Sequence, residues 1–145
     1  MNLPAPNRQH LHMHPFKVDY QRILDNAFAL ANEIFLQYQG YFPFGIGLNT
    51  SDELYFVGWN PGQLQIGLME HVESQLRKQS KNLKALARCT HVKIQSRNIT
   101  IGALQVNLEH RNGVALCAYQ PMSGTDKWWV EEGRNRIFPQ PVAES

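Results

Sequence analysis

The sequence predicts an α+β domain, an antiparallel β-sheet with two main helices in the order α-β-β-α-β-β-β. Three observations carry that prediction. Phe42, Phe44, Ile46 and Leu48 alternate with Pro43, Gly45, Gly47 and Asn49, and a second β-rich run follows from Leu54 to Trp59. A period of two marks a strand with one buried face. Helical apolar spacing flanks this hairpin on both sides. Farther on, alternating runs return between turn residues, and Asn112-Gly113 is a strong hairpin signal because both residues tolerate positive φ. Helices in such a chain are expected mainly on one face of the sheet.

A chain of 145 residues suits one domain with a real core. Hydrophobic residues at 43% against 18% charged argue against a disordered chain. The net charge of +2 points to neither nucleic acid nor an anionic membrane, so neither is expected as a partner. No apolar run reaches the roughly 18 residues of a membrane span, and no basic segment followed by an apolar core marks a signal peptide. Cys89 and Cys117 make no CxxC and no disulfide framework. Both read as small buried hydrophobes in a reducing compartment, and a cytoplasmic location follows as the expectation.

The chain divides into an N-terminal arm (1–17), one domain (18–131) and a C-terminal tail (132–145). In the arm His10, His12 and His14 alternate, so an extended backbone projects all three the same way. Three imidazoles can hold a divalent metal, yet nothing nearby supplies the second shell that orients them. The arm therefore reads as a polar tail, and no cofactor is expected. From Asp19, placed as an N-cap, Tyr20, Ile23, Leu24, Ala27, Phe28, Leu30, Ala31, Ile34, Phe35 and Tyr38 form a wide helical stripe. Gly40 is placed as its left-handed terminator.

Asn60-Pro61-Gly62 breaks the chain after the hairpin, and a second helix is expected over about Leu64 to Arg88. Leu68, Met69, Val72, Leu76, Leu83, Leu86 and Ala87 form its stripe, and Glu73 and Arg77 stand off it at the i,i+4 spacing. Val92, Ile94 and Ser96 then alternate, Arg97-Asn98 turns the chain, and Leu104, Val106 and Leu108 alternate in turn. Val114–Tyr119 is apolar throughout, as a central strand is. Trp128, Trp129 and Val130 suit an edge strand.

This order, over about residues 19–120, resembles the profilin-like class, including roadblock-type and GAF-like domains. The resemblance implies a scaffold that pairs into dimers or meets small GTPases, although the final helix of that pattern has no counterpart in 121–145. Phe42-Pro43-Phe44-Gly45 and Glu109-His110-Arg111-Asn112-Gly113 are similar to pieces of small bacterial proteins with a helix followed by an FPFG-type strand. That second resemblance implies no activity.

Glu109-His110-Arg111 is the densest polar cluster. An acid, a base and a guanidinium suit hydrolysis or anion binding, but neighbouring strand residues point to opposite faces. Two readings from different classes follow. The first is a non-catalytic interaction or adaptor module, a homodimer or an immunity-type inhibitor of a heterologous protein, with Tyr55, Trp59, Trp128 and Trp129 as its contact residues. The second is a small-ligand-binding or enzymatic domain whose sheet–helix pocket is reached by His110, Arg111 and Tyr119.

Overall fold

A computed structural model describes residues 16–58, 67–123 and 128–139. The observed class is α+β, with two α-helices and one antiparallel sheet among the described residues. Helix α1 spans Lys17–Tyr38, strands β1 and β2 span Phe44–Asn49 and Leu54–Val57, and helix α2 spans Leu68–Gln79. A short 3-10 turn, Ser80–Asn82, leads into β3 (Leu83–Ser96), β4 (Ile99–His110), β5 (Ala115–Pro121) and β6 (Trp129–Glu132). The sheet runs β2-β1-β3-β4-β5-β6, so β2 and β6 are its edges.

The two helices lie on opposite faces, not on one. Phe44, Ile46 and Leu48 of β1, Ala85, Ala87 and Cys89 of β3, and Val106 and Leu108 of β4 pack under the α1 residues Tyr20, Ile23, Leu24, Ala27 and Ala31. The alternate set, with Val57, Leu83 and Leu86, packs against Val72 and Leu76 of α2 and against Ile137 and Phe138. The physical reason lies in the FPFGIG run. A Cβ added at Gly45 would stand 3.0 Å from the Val72 side chain and 3.2 Å from Leu76, so glycine lets α2 close on that face without displacing either side chain. Phe44 and Ile46 fill the first face, and the glycines between them open the second.

Several expected details are corrected. The second helix ends at Gln79, and Leu83–Ser96, expected in part as helix, is a strand. Leu83, Leu86 and Ala87 do satisfy helical spacing, but Leu83 to Cys89 is also apolar on both alternating sets once Lys84 and Arg88 find ionic partners. Pairing with β1 on one side and β4 on the other buries both faces, and that non-local gain overrides the local pattern. Asp19 is no N-cap: α1 begins after Phe16, and Asp19 sits in the first turn. The left-handed terminator of α1 is Gln39 (φ 56°), one residue before Gly40, and its N–H bonds the Phe35 carbonyl at 2.7 Å. In the 111–114 turn only Gly113 has positive φ (98°), which excludes the type I′ form expected of Asn112-Gly113. The α1 stripe is wider than the sheet beneath it, for Phe35 and Tyr38 are exposed at 40% and 41%.

Residues 133–139, expected as tail, cross the α2 face of the sheet, with Ile137 and Phe138 buried there. Among the described residues no helix is long and apolar enough to cross a membrane.

Candidate functional site

His110 ends β4 and points to the α1 face. Its Nε2 lies 2.9 Å from Asp19 Oδ2, and its Nδ1 accepts the Asn112 N–H at 3.2 Å. An Nδ1 that accepts a backbone N–H leaves the proton on Nε2, so the imidazole donates to Asp19 and keeps no lone pair for a substrate. Phe16 lies tilted by 30° against the ring, centroids 4.2 Å apart, and helps to close it off. Asp19 also meets Lys84 at 3.2 Å, and Lys84 in turn bonds Asp52, whose carboxyl it holds below the usual range.

Arg111 turns away from that pair. Its Nη2 donates to the carbonyls of Ser80 at 2.7 Å and Lys81 at 2.6 Å. A guanidinium there satisfies carbonyls left open where the α2 segment ends.

Tyr119 lies on the opposite face from His110, so the structure does not bring His110, Arg111 and Tyr119 into one pocket. Its hydroxyl donates to Glu131 at 2.7 Å and accepts from Gln105 at 3.2 Å. Burial, with bonds to Cys117 and Glu131, pushes the phenol up. Cys117 beside it is pushed up by burial, as is Cys89, so neither thiol is an activated nucleophile.

The structure adds an ionic cluster that the sequence does not announce. Glu109, fully buried, accepts the N–H groups of Ile137 and Phe138 at 2.9 and 3.0 Å. Its second oxygen faces Arg88 Nε at 3.6 Å, a charge contact too long for a hydrogen bond. Arg88 also reaches Glu73 at 3.3 Å, and Arg136 approaches the same Glu73 oxygen. Glu73, placed by the sequence on the solvent side with Arg77, is thus 4% exposed. The cluster ties α2, β3, β4 and the C-terminal segment together, while Glu109 Oε2 and Arg88 Nε stay buried with a charge contact and no hydrogen-bond partner among the described residues.

Of the aromatic candidates, Trp128 is buried in the α1 core and Trp129 is half-buried opposite Tyr119. Tyr55 is half-buried on the α2 face, with its hydroxyl buried. Trp59 and the histidines His10, His12 and His14 lie outside the described residues.

Among the described residues no strand pairs with the outer edge of β2. Phe56 is 45% exposed on the α1 face and packs against Phe44 at 5.7 Å. Beside it a groove of about 310 Å³ runs along α1, lined by Leu30, Ile34 and Tyr38 with Glu33 and Gln37. On the other face a cleft of about 470 Å³ separates β2 from α2, where His71, Gln75 and Gln79 face Tyr55 and Val57. The sequence singles out Tyr55 and Trp59 of this strand and leaves Phe56 only as their alternate, in a stretch, 54–67, that contains no charged residue. No protein-family model matches the chain, and no curated protein or solved structure matches it either.

Proposed function

We propose that this chain is a non-catalytic protein-interaction module whose contact element is the β2 edge with the groove beside it. The observation that carries the reading is the exposure of Phe56 on an edge strand, next to Leu30, Ile34 and Tyr38. An apolar side chain at an unpaired edge, with a groove along one side, suits recognition of another backbone. The internal hydrogen bonds of His110 and Arg111 and the complete burial of Glu109 support the non-catalytic part, since none of the three presents a polar group to a substrate. The likeness in element order to profilin-like domains belongs to this proposal, as does a cytoplasmic location, which the buried free thiols of Cys89 and Cys117 support.

A photo-crosslinking residue placed at position 56 tests the reading in cells that make the protein. Position 56 should yield a discrete adduct, whereas exposed Gln95 on β3, far from β2 in the sheet, should yield none. Equal labelling at the two positions, or none at either, would remove the proposal.

A further inference from the structure

We infer that the partner at the β2 edge is a second copy of this chain, joined β2 to β2 about a two-fold axis through Phe56. The inference rests on the interaction reading above and names its partner.

The backbone groups at this edge have a definite direction. Asn49 N–H donates to the Glu53 carbonyl at 2.9 Å across the turn. In an antiparallel ladder hydrogen-bonded and non-hydrogen-bonded pairs alternate. With Gly47 opposite Tyr55 and Gly45 opposite Val57, the N–H and C=O groups of Tyr55 and Val57 therefore point toward β1. Those of Leu54, Phe56 and Gly58 point outward, unpaired by any described strand.

A two-fold axis normal to the sheet keeps like faces together, so paired residues must belong to the same face. With the axis at Phe56, Phe56 pairs with Phe56 and Leu54 with Gly58, all through outward-pointing groups. Tyr55 then stands opposite Val57 on the α2 face, and Phe56 meets Phe56 on the α1 face. Every facing pair is uncharged. Centring the axis on Tyr55 instead sets the Glu53 carboxylate opposite Val57 and Gly58 opposite Asp52, a turn residue with φ 64° that cannot continue the ladder. The Phe56 register satisfies more backbone and places the acidic 52–53 turn outside the paired segment.

Charge argues for the same occupant. Natural sheet edges are guarded by lysine, proline or inward-pointing charge. Leu54-Tyr55-Phe56-Val57-Gly58 has none; on the α2 face His71, Gln75 and Gln79 carry at most an imidazole charge, and on the α1 face Glu33 is the one charged residue that lines the Phe56 groove. The other edge, β6, carries Glu131 and Glu132. Among the described residues only the β2 edge is unguarded, so pairing closes at two copies and does not extend into a filament. The product is one continuous sheet across both copies, with Leu30, Ile34 and Tyr38 of each flanking the paired phenylalanines.

Light scattering on the purified full chain should give twice 16.7 kDa at tens of micromolar. Phe56→Cys should form a disulfide-linked dimer under mild oxidation, because hydrogen-bonded antiparallel pairs hold their Cα atoms about 5.5 Å apart, within disulfide range. Leu54→Cys should not, since its two copies stand roughly 14 Å apart in this register, four residues at about 3.4 Å. The native thiols are buried and give no background. Phe56→Lys should run as a monomer with an unchanged circular dichroism spectrum, and if it does not fold the cysteine pair carries the test. A monomeric wild-type mass, a dimer that survives in folded Phe56→Lys, or linkage at Leu54→Cys but not at Phe56→Cys each overturns the two-fold pairing. The interaction reading fails separately: a heterologous adduct at position 56 in cells preserves it even when the purified chain is monomeric.

Discussion

His110 and Asp19 stand 91 positions apart in the chain and share a hydrogen bond of 2.9 Å. The bond pins the first turn of α1 to the end of β4, and Lys84 of β3 joins it through Asp19 at 3.2 Å. Three elements thus meet at one partly buried polar contact. His110→Ala should lower stability by about 1–3 kcal/mol, the cost of leaving a buried polar partner unsatisfied. Asp19 keeps Lys84, which places the loss toward the lower end. An unchanged urea midpoint would show that the pair contributes nothing.

Glu109 holds the C-terminal segment by two backbone N–H groups while it faces Arg88. Glu109→Ala should cost about 3 kcal/mol, the lower end for breaking a buried ion pair, because Arg88 keeps Glu73 while the Ile137 and Phe138 N–H groups lose their acceptor. Glu109→Gln should cost less, because an amide oxygen can still accept from Ile137 and Phe138. Limited proteolysis should cut within 133–139 in the alanine variant and spare the wild type. Equal resistance in both would mean that Ile137 and Phe138 stay docked by apolar contact alone.

Gly45 separates two residues of the α1 core and lies beneath α2, 3.0 Å from Val72 measured from a built Cβ. Gly45→Val should destabilise by about 1–3 kcal/mol through overpacking, although valine is the better strand former. Pairing it with Val72→Ala should recover part of the loss. A thermal midpoint that rises in the single variant would show that the face has room.

His91 stacks on Tyr41 at 4.5 Å with the rings 5° from parallel. Burial, with a smaller contribution from Lys93, holds its pKa below the ordinary 6.5. The folded value lies under the unfolded one, so the unfolded chain binds the extra proton. Stability from this group is therefore intact above about pH 6.5 and falls as pH drops through the folded value. His91→Gln removes the titration. Between about pH 7 and pH 5 the wild type should lose stability faster than this variant, and parallel curves would dismiss the linkage.

By itself the sequence determined the local elements whose pattern admits one interpretation. Tyr20 to Ile34 recur at helical steps, and Phe44, Ile46 and Leu48 alternate with residues too small or too rigid to compete for the same face. β2 starts at Leu54, where the sequence places it, because turn chemistry closes it on the N-terminal side: Asn49 Oδ1 accepts the N–H groups of Ser51 and Glu53. The tertiary structure decided whatever depends on a partner distant in sequence. Leu83, Leu86 and Ala87 fit a helix equally well until β1 and β4 claim both sides of that segment. Glu73 has the spacing of a solvent-side residue and is buried because Arg88, fifteen positions on, reaches it. His110 and Arg111 have the composition of a site, and Asp19, Ser80 and Lys81 occupy them. Phe56 became a contact candidate only once β2 proved to be an edge, for exposure is a property of the finished sheet and no residue carries it alone.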